Sequence, residues 1–571
     1  MAGRRGGGLA HPCRFWGLVA VLGAGFAGLA WRGFQLQVVQ ADYLQRQAQA
    51  RQLRVVTLPA LRGVIRDRHG RPLAVSTPVH SVWANPRRFP RGRDRWPELA
   101  RLLGLRTRDL AALQKKYASR SFMFLRRQVN PDLAERIRAL GIPGLGLRPE
   151  YRRYYPAGPV AAHVVGFTNV DGVGQEGLER AFDARLRGRP GKKLVRLDGR
   201  REVIEDVASL VPAREGRDLT LSLDGRLQYL AFRALREALA AHGARAGSVV
   251  VLDARSGELL AMVSQPSFNP NNRAELRGAR LRNRPVTDVF EPGSTLKPFT
   301  VAAALESRKF VPDSKVDTAP GWLEVGGHRI RDSDNYGRLT VARVIVKSSN
   351  VGASRIALAL PPRRLWSLYT AAGLGRRTGI GLPGETAGRL RPYRRWSRLE
   401  QATLSFGYGL SVTALQLARA YTVFASGGVL RPLRLTPGGP GAGERVISAA
   451  TARAVTRMLE GVVAAHGTGQ AARIPRYRVA GKTGTVHKVV KGGYSAHRYL
   501  SLFAGFAPAS RPRLVAVVVV DEPRRGGYYG GQVAAPLFAR VMAGALRILD
   551  VAPDDPGPAS LRLAAGGGAR G

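Results

Sequence analysis

The sequence predicts an α+β protein with three parts: an N-terminal transmembrane helix, an elongated mixed α/β pedestal domain, and a C-terminal domain built from an antiparallel sheet and helices. Three observations predict this class. Residues 15–31 contain no charged side chain, which is typical of a membrane helix. Residues 60–215 mix short β-rich runs with helical patterns and many Gly and Pro turns. Residues 216–550 begin and end with pairs of apolar, strand-like runs and carry helical patterns between them.

The uncharged run from Phe15 to Trp31 covers 17 positions, about 25 Å of helix at ~1.5 Å per residue. We expect residues 15–38 to form an uncleaved anchor, because Arg32 can extend its charge to the interface and the apolar residues beyond it lengthen the helix. Residues 1–14 are then a cytoplasmic tail. A cleaved signal peptide is the alternative, since a basic segment precedes the run.

The remaining domain boundaries follow from changes in composition. Residues 39–215 are predicted to be the pedestal, which starts with a polar helix leaving the membrane at about 40–54. Residues 216–550 are predicted to be the C-terminal domain. The tail at 551–571 is rich in Gly, Pro and Ala and is predicted to be disordered.

Within the C-terminal domain, two strand-like runs near the start form a hairpin and two more lie near the end. We expect these first and last segments to pair in one sheet, with helices at about 227–242 and 535–549. The predicted strands are 248–253, 258–263, 500–506 and 514–521.

Composition limits the function classes. The formal charge of +50 comes from 79 Arg and only 11 Lys spread along the chain, so we expect attraction to anionic surfaces and no nucleic-acid partner. The single cysteine, Cys13, excludes an internal disulfide and a Cys-based zinc cluster. The nine histidines contain no HExxH pair, and neither a metal nor another cofactor is expected.

The first candidate for chemistry is Ser294-Thr295-Leu296-Lys297, which follows Pro292-Gly293 at a predicted helix start. On a helix, residues three apart share a face, so Lys297 can act as the base that activates the Ser294 hydroxyl. The N–H groups of a helix start can also stabilise an oxyanion. Such a pair occurs by chance in many long chains, and an ordinary solvated helix start is the alternative for this motif alone.

Two more polar motifs follow in the chain. Ser348-Ser349-Asn350 comes after a helical pattern, and an extended turn there would point Ser348 and Asn350 the same way. Lys482-Thr483-Gly484-Thr485 precedes a β-rich stretch, and as a strand its glycine would let a substrate backbone approach closely while the lysine and hydroxyls bind a carboxylate. The motifs are spaced by about fifty and then about 130 residues.

Together, these motifs resemble the set found in penicillin-binding proteins and class A β-lactamases. Further landmarks resemble class B penicillin-binding proteins, and the last three resemble their septal, FtsI-like group. These landmarks are 62–68, 153–156, 174–179, 347–352, 405–409 and 521–531. The resemblance covers roughly residues 15 to 550 in the order of the family. It implies a C-terminal domain with the serine transpeptidase/β-lactamase-like fold.

The resemblance also implies roles for the catalytic residues. Ser294 is the acylated nucleophile and Lys297 its base. Ser348 relays a proton to the leaving amine, and Asn350 holds the amide of the donor peptide. Lys482 completes the positive electrostatic network.

The substrate-binding residues implied by the resemblance are Thr483, Gly484 and Thr485. The two threonines bind the terminal D-alanine carboxylate, and the backbone N–H groups of Ser294 and Thr485 form the oxyanion hole.

The implied activity is D,D-transpeptidation of peptidoglycan stem peptides through a serine acyl-enzyme, which β-lactams trap. The implied location is the inner membrane, crossed once, with the catalytic domain in the periplasm. The septal glycosyltransferase FtsW and other division proteins are the implied partners.

Three other functions stay open on the sequence alone. A serine β-lactamase is disfavoured because no Glu-x-x-Leu-Asn element supplies a deacylating base. An elongation-specific class B transpeptidase is disfavoured by Ser348-Ser349-Asn350 and by residues 528–531. A non-catalytic membrane scaffold of the division machinery is disfavoured because every motif residue is present. The GxGxxG pattern at 172–177 follows a polar segment, so we expect a pedestal turn there.

Overall fold

The computed structural model describes residues 12–90, 94–197, 203–439, 441–490 and 493–555. Within these described ranges, the residues up to 60 and those of 188–215 group into one compact unit, and the residues of 61–187 and those from 216 onward into a second. The expected boundaries at 14, 38, 215 and 550 stay predictions. Most of the expected cytoplasmic tail and most of the expected C-terminal tail lie outside the described residues.

The first unit contains the apolar helix expected near the N-terminus. An α-helix at Pro12–Phe34 continues as a π-helical turn at Gln35–Val39, and a polar helix follows at Ala41–Gln52. Cys13–Val39 is long and apolar enough to cross a bilayer, and it is the single helix of this kind among the described residues. Large apolar side chains such as Trp16 lie exposed along it, as expected where lipid is the solvent.

The first unit also contains a three-stranded antiparallel sheet. Gly191–Leu197 lies in its centre, between Leu53–Leu58 and Val203–Val211. This sheet joins the segment that directly follows the polar helix to a segment more than 130 residues later, a pairing that no local pattern indicates.

The second unit begins with a five-stranded sheet. Its longest strand, Pro72–Ala84, pairs with three of the others, and Ile65–Arg66 and Leu219–Thr220 form a short parallel pair at its edge. A separate apolar cluster that includes Leu99 and Ile137 fills the space between this sheet and three helices. The other strands are Met123–Val129 and Leu145–Tyr154. The helices are Trp96–Leu103, Thr107–Lys116 and Pro131–Ala139.

A buried cluster of charged side chains connects this sheet to the short helices that follow it. Glu179 has no exposed surface and accepts hydrogen bonds from Arg62 Nε at 2.6 Å and from Arg153 Nε at 2.7 Å. Arg62 also donates to Asp183 and to the carbonyl of Gly172. The GxGxxG segment is therefore a turn held by this cluster, as expected. Short helices flank it at 158–160, Ala162–Val165, Gly177–Ala181 and Asp183–Leu186.

The C-terminal part of the second unit is built on a five-stranded antiparallel sheet, as predicted. Val249 pairs with Val518, so the first hairpin and the last strands lie in one sheet. The order across the sheet is Leu259–Gln265, Ala246–Asp253, Leu514–Asp521, Gly493–Ala507 and Ala480–Val490.

Both faces of this sheet are covered by helices, which explains its continuous apolar runs. Val249 and Val251 pack into the cluster under the helices Gly225–Ala241 and Gly530–Ile548. Val250 and Leu252 point the other way, into the larger core. Three helices that contribute to the larger core are Lys297–Glu306, Ala414–Ala425 and Ala449–Val463.

The helices around the larger core bring the three polar motifs to one edge of the sheet. Further helices of this layer are Arg284–Thr287, Val341–Lys347, Asn350–Leu358, Pro362–Ala371 and Arg398–Leu404. Short strands lie at Lys315–Asp317, Trp322–Val325, His328–Arg331, Arg338–Thr340, Val429–Leu430 and Glu444–Arg445. Single 3-10 turns lie at 273–275, 278–281, 293–296, 393–395 and 470–472.

Candidate active site

Ser294 lies in a tight turn rather than inside a helix. Residues 293–296 form a 3-10 turn, and the α-helix starts at Lys297. Gly293 has φ +55°, and a Cβ on Gly407 would lie 2.1 Å from the carbonyl oxygen of Gly293. The backbone of the 405–409 segment therefore packs directly against the turn, and only glycine fits there. This contact fixes the turn that presents Ser294.

The amine of Lys297 is fully buried. Its Nζ donates to Asn350 Oδ1 at 2.8 Å and to Ser348 Oγ at 3.1 Å, and it also contacts the carbonyl oxygen of Ser348. Within the described residues no hydrogen bond joins this nitrogen to Ser294 Oγ. The predicted pair of Ser294 and Lys297 therefore lies one turn apart, and Lys297 is anchored to the second motif.

The second motif is a junction between two helices. Ser348 ends the helix Val341–Lys347 in a left-handed conformation with φ +61°. Ser349 accepts a hydrogen bond from Gly352 N at 2.8 Å and so caps the next helix, which starts at Asn350. Ser348 and Asn350 both line the cleft, as predicted, but a left-handed residue and a helix cap place them there instead of an extended turn.

Asp332 holds this junction in place, and no sequence motif indicated it. Its carboxylate accepts hydrogen bonds from the backbone N–H groups of Asn350 and Val351, the latter at 3.0 Å, and from the hydroxyl of Ser349. A carboxylate at the N-terminus of a helix is favoured by the helix dipole. Asp332 directly follows the strand His328–Arg331. It is 17 residues from Ser349 in the sequence and belongs to a different structural element.

The third motif forms the strand at the open edge of the sheet, as predicted. Lys482 is fully buried, and its Nζ donates to Ser348 Oγ at 3.0 Å and to Thr483 Oγ1 at 3.3 Å. Thr485 Oγ1 accepts a hydrogen bond from Gly530 N at 2.9 Å, which leaves the hydroxyl hydrogen free to donate to a ligand.

Gly484 has a packing role in this strand. An added Cβ would lie 3.1 Å from Thr295 Cγ2 and 3.1 Å from Leu502 Cβ. Thr483 and Thr485 line the cleft, and strand alternation points position 484 to the opposite side. The close approach that glycine allows here is therefore to Thr295, next to the nucleophile. The predicted contact of Gly484 with a substrate backbone stays a prediction.

The motifs meet in one cleft of about 730 Å³. Five of the eight predicted site residues line it, and the two lysines lie beneath its floor with their amines on Ser348. The five lining residues are Ser294, Ser348, Asn350, Thr483 and Thr485. The arrangement offers a hydroxyl nucleophile, two buried amines, and hydroxyl donors for an anion.

Burial controls the charge of both amines. Desolvation lowers the pKa of Lys297 well below its usual range, and the neighbouring positive charge of Lys482 lowers it further, while Asp332 opposes this. Desolvation lowers the pKa of Lys482 to about 7. Burial and the charge of Lys482 therefore favour the neutral form of Lys297, in which its amine can accept a proton.

Other side chains at the site carried no recognisable pattern. Thr468 Oγ1 lies 3.0 Å from Thr483 Oγ1 and adds one more hydroxyl to the lining of the cleft. Glu291 Oε1 accepts from Gly409 N at 2.8 Å and from the Tyr494 hydroxyl at 3.0 Å. These hydrogen bonds connect the segment before Ser294 to the 405–409 segment and to the strand Gly493–Ala507.

Comparison with known proteins identifies the family. The family model for the "Penicillin binding protein transpeptidase domain" matches residues 247–543, and that for the "Penicillin-binding Protein dimerisation domain" matches residues 57–221. The chain belongs to the class B penicillin-binding proteins. It is 45% identical over 532 residues to peptidoglycan D,D-transpeptidase FtsI of Escherichia coli strain K12, covering 92% of this chain and 89% of that protein.

Three further comparisons place this penicillin-binding protein among known sequences and structures. It is 40% identical to the probable peptidoglycan D,D-transpeptidase PenA of Neisseria gonorrhoeae, over 93% of this chain and 92% of that protein. The apo TP domain of Burkholderia pseudomallei penicillin-binding protein 3 is 45% identical with a TM-score of 0.55, covering 59% of this chain and 98% of that one. A peptidoglycan synthetase from Bifidobacterium adolescentis, 26% identical, gives a TM-score of 0.71 over 88% of this chain and 98% of that one.

The fold predicted from the sequence is confirmed by these matches: an apolar N-terminal helix, a dimerisation-type pedestal domain, and a transpeptidase domain with an antiparallel sheet and helices. Among the described residues, no group of three or more His, Cys, Asp or Glu side chains is arranged to hold a metal ion.

We expect Asp332→Ala to lower the rate of acylation by a penicillin about tenfold to hundredfold. A hydrogen bond to a charged group contributes about 1.5–3 kcal/mol. The substitution removes three such bonds from the Ser348–Asn350 junction, and a net loss equal to one of them is enough for this effect. Stopped-flow measurement of the acylation rate checks this. Asp334→Ala is the matched control, because Asp334 is exposed and, within the described part of the chain, its side chain bonds only the backbone N–H of Asn335. Equal rates for the two variants would contradict the positioning role.

Proposed function

We propose that this penicillin-binding protein is a peptidoglycan D,D-transpeptidase of the division septum that works through a serine acyl-enzyme at Ser294. The observation that carries the mechanism is the burial of Lys297 beside Ser348 Oγ and Asn350, because burial lowers the pKa of this amine and favours its neutral form at the start of the helix that follows the nucleophile. The FtsI relatives, 45% identical over most of the chain, support the septal transpeptidase activity.

In the first half-reaction, Lys297 takes the proton of the Ser294 hydroxyl as its oxygen attacks the carbonyl carbon of the D-Ala-D-Ala bond. The loose apo geometry, with no bond between these two side chains, is common in catalytic sites and tightens with substrate. We assign the oxyanion to the backbone N–H groups of Ser294 and Thr485. Thr483 and Thr485 hold the terminal carboxylate of the donor peptide, and Asn350 holds its amide.

Ser348 connects the two amines. Its hydroxyl oxygen lies 3.0 Å from Lys482 Nζ and 3.1 Å from Lys297 Nζ. Once Lys297 has taken the proton of Ser294, its ammonium donates to Ser348 Oγ, and the hydroxyl hydrogen of Ser348 can be given up in turn. This hydroxyl can therefore pass the proton taken from Ser294 to the D-alanine amine as it leaves.

The second half-reaction returns the enzyme to its starting state. An amine of a second stem peptide attacks the acyl carbon, an amide bond forms, and the ester bond to Ser294 breaks. A β-lactam has the shape of the D-Ala-D-Ala end and acylates the same hydroxyl, but the amine formed when its ring opens stays tethered to the acyl group and does not leave the site. We therefore assign β-lactams as covalent inhibitors of this site.

We assign the catalytic domain to the periplasm and residues 15–38 to a single inner-membrane anchor. The apolar helix Cys13–Val39 supports an anchor, and the peptidoglycan substrate lies on the periplasmic side. The septal glycosyltransferase FtsW and other division proteins are proposed as partners on the resemblance to the septal group.

We expect incubation with benzylpenicillin to give one stable covalent adduct on the tryptic peptide that contains Ser294. Intact-mass and peptide mass spectrometry of the purified protein measure it, and Ser294→Ala is the control that must lack it. A folded protein without an adduct would contradict the acyl-enzyme and favour the scaffold. Rapid turnover of the penicillin would identify a β-lactamase instead.

The acylation rate should follow a bell-shaped pH profile. At low pH, Lys297 is protonated and cannot act as a base, so the rate rises as the pH increases through its lowered pKa. Lys482, with a pKa of about 7, loses its charge as the pH rises further, so attraction of the penicillin carboxylate weakens and the rate falls. A penicillin methyl ester carries no such carboxylate and should keep the acidic limb but lose the alkaline one. An unchanged alkaline limb with the ester would exclude this role of Lys482.

Depletion of the protein in its host should produce long filaments, because a septal transpeptidase is needed for division and not for elongation. Phase-contrast microscopy of the depleted cells measures this, with re-expression of the intact protein as the control. Rounded cells would instead support the elongation-specific alternative. Full growth with Ser294→Ala as the sole copy would support the scaffold.

A further inference from the structure

One end of the catalytic cleft is not used by the acylation mechanism. Lys347, Thr468, Gln470 and Gln532 line the cleft beyond Ser348 and Thr483, and we call them the distal end. Its position follows from three contacts. A Cβ on Gly461 would lie 2.9 Å from Val346 Cγ2, which places the helix end at Lys347 against the helix that Thr468 follows. Thr468 bonds Thr483, and a Cβ on Gly531, next to Gln532, would lie 2.4 Å from the carbonyl oxygen of Thr468.

The distal end carries a positive charge without an internal counter-charge. Lys347 and Asp332 are the two charged side chains among the residues that line the cleft. The carboxylate of Asp332 already accepts hydrogen bonds from Ser349 and from the first turn of the helix that starts at Asn350. Among the described residues, Lys347 has neither a salt bridge nor a side-chain hydrogen bond. Its amine is therefore available to an anionic ligand in the cleft.

The direction of the second half-reaction points to what that ligand is. The D-alanine amine leaves the acyl carbon on the side where Thr483 and Thr485 hold its carboxylate. The incoming amine attacks the same carbon, and its nitrogen takes the place of the nitrogen that left. The rest of the acceptor peptide must then continue past Thr483, where Thr468 and the distal end lie.

We propose that the distal end is the binding site of the acceptor stem peptide, and that Lys347 binds one of its carboxylates. This inference rests on the proposed function and adds the second substrate to it. A stem peptide carries a terminal carboxylate and can carry a second one within the chain, and a lysine binds either as a point charge. The neutral amides of Gln470 and Gln532 suit the peptide backbone next to that carboxylate.

The step that Lys347 assists is aminolysis of the acyl-enzyme. The acceptor nitrogen forms a bond to the acyl carbon, the bond from this carbon to Ser294 Oγ breaks, and the proton of the amine returns to Ser294 Oγ by way of Lys297. Water competes for the same acyl carbon and gives the hydrolysed peptide. The ratio of cross-linked to hydrolysed product therefore reports acceptor binding without depending on how fast the acyl-enzyme forms.

The test uses the purified full-length protein in detergent with an acyl-D-Ala-D-Ala donor and a synthetic stem peptide that has a free side-chain amine. This acceptor is made in four forms: with both carboxylates free, with only the terminal one amidated, with only the internal one amidated, and with both amidated. Mass spectrometry gives the product ratio. We expect at least a tenfold preference of the unmodified protein for one carboxylate position, and the two single amidations identify which one.

Lys347→Gln should lower the product ratio at least tenfold for the acceptor with free carboxylates and less than twofold for the doubly amidated one. Lys347→Arg keeps the charge and should stay within threefold of the unmodified protein. Lys315→Gln is the matched control, since Lys315 is an exposed lysine that does not line the cleft. Its ratio should not change.

Two results would overturn the assignment of the distal end to the acceptor. One is an equal ratio of cross-linked to hydrolysed product for all four acceptors with the unmodified protein, and the other is an equal fall of this ratio for all four with Lys347→Gln. The first needs no variant, so it holds even if a substitution impairs folding. Failure of the proposed function looks different, because the folded, unmodified protein would then form neither the Ser294 adduct nor either product.

Discussion

The active site depends on one constraint: two lysine amines are buried a hydrogen bond away from the same serine hydroxyl. A buried amine, neutral or charged, is costly unless it is hydrogen-bonded. Lys297 meets this requirement with Asn350 Oδ1 and Ser348, and Lys482 with Ser348 and Thr483. Three segments far apart in the chain must therefore be in place together, since displacing any one of them leaves a buried amine without its partners.

The fold satisfies that constraint through rigid elements and strained turns. The lysine at 297 starts a helix, the lysine at 482 sits on a strand that pairs along its length with Gly493–Ala507, and Ser348 lies at a left-handed helix end. A non-glycine residue in that conformation costs of the order of 1 kcal/mol, and such strain persists only where the surroundings hold it. Here Asp332 provides the hold, because it fixes the first turn of the following helix.

The strands and helices that depend on local sequence pattern could be predicted from the sequence alone. Continuous apolar runs predicted the central sheet, because alternate residues such as Val249 and Val250 face two different cores. The last helix starts at Gly530, earlier than the predicted 535, since two glycines discourage a helical assignment. The structure gives their reason: a Cβ on Gly530 would lie 2.3 Å from the carbonyl oxygen of Gly484. Such close approaches between distant segments leave no periodic signal.

The same limit applies to the site. Ser294, Lys297 and the other motif residues were found because their spacing resembles a known family. Asp332 and Thr468 were missed because each acts on a motif from a different element, Asp332 after a short strand and Thr468 after a long helix. A lone Asp or Thr in a loop has no distinguishing neighbours in the sequence. Only the contacts Asp332–Ser349 and Thr468–Thr483 reveal them.

The composition of the chain gives the two buried lysines a further meaning. Arginine outnumbers lysine 79 to 11, so a cation that only has to be positive is usually arginine in this protein. A guanidinium stays protonated even when it is buried, whereas burial readily neutralises a lysine amine. In the proposed mechanism the amine at position 297 must be able to take the proton of Ser294, and the amine at position 482, with a pKa of about 7, places no permanent charge beside it. Lysine at these two positions therefore follows from the chemistry, against the bias of the rest of the chain.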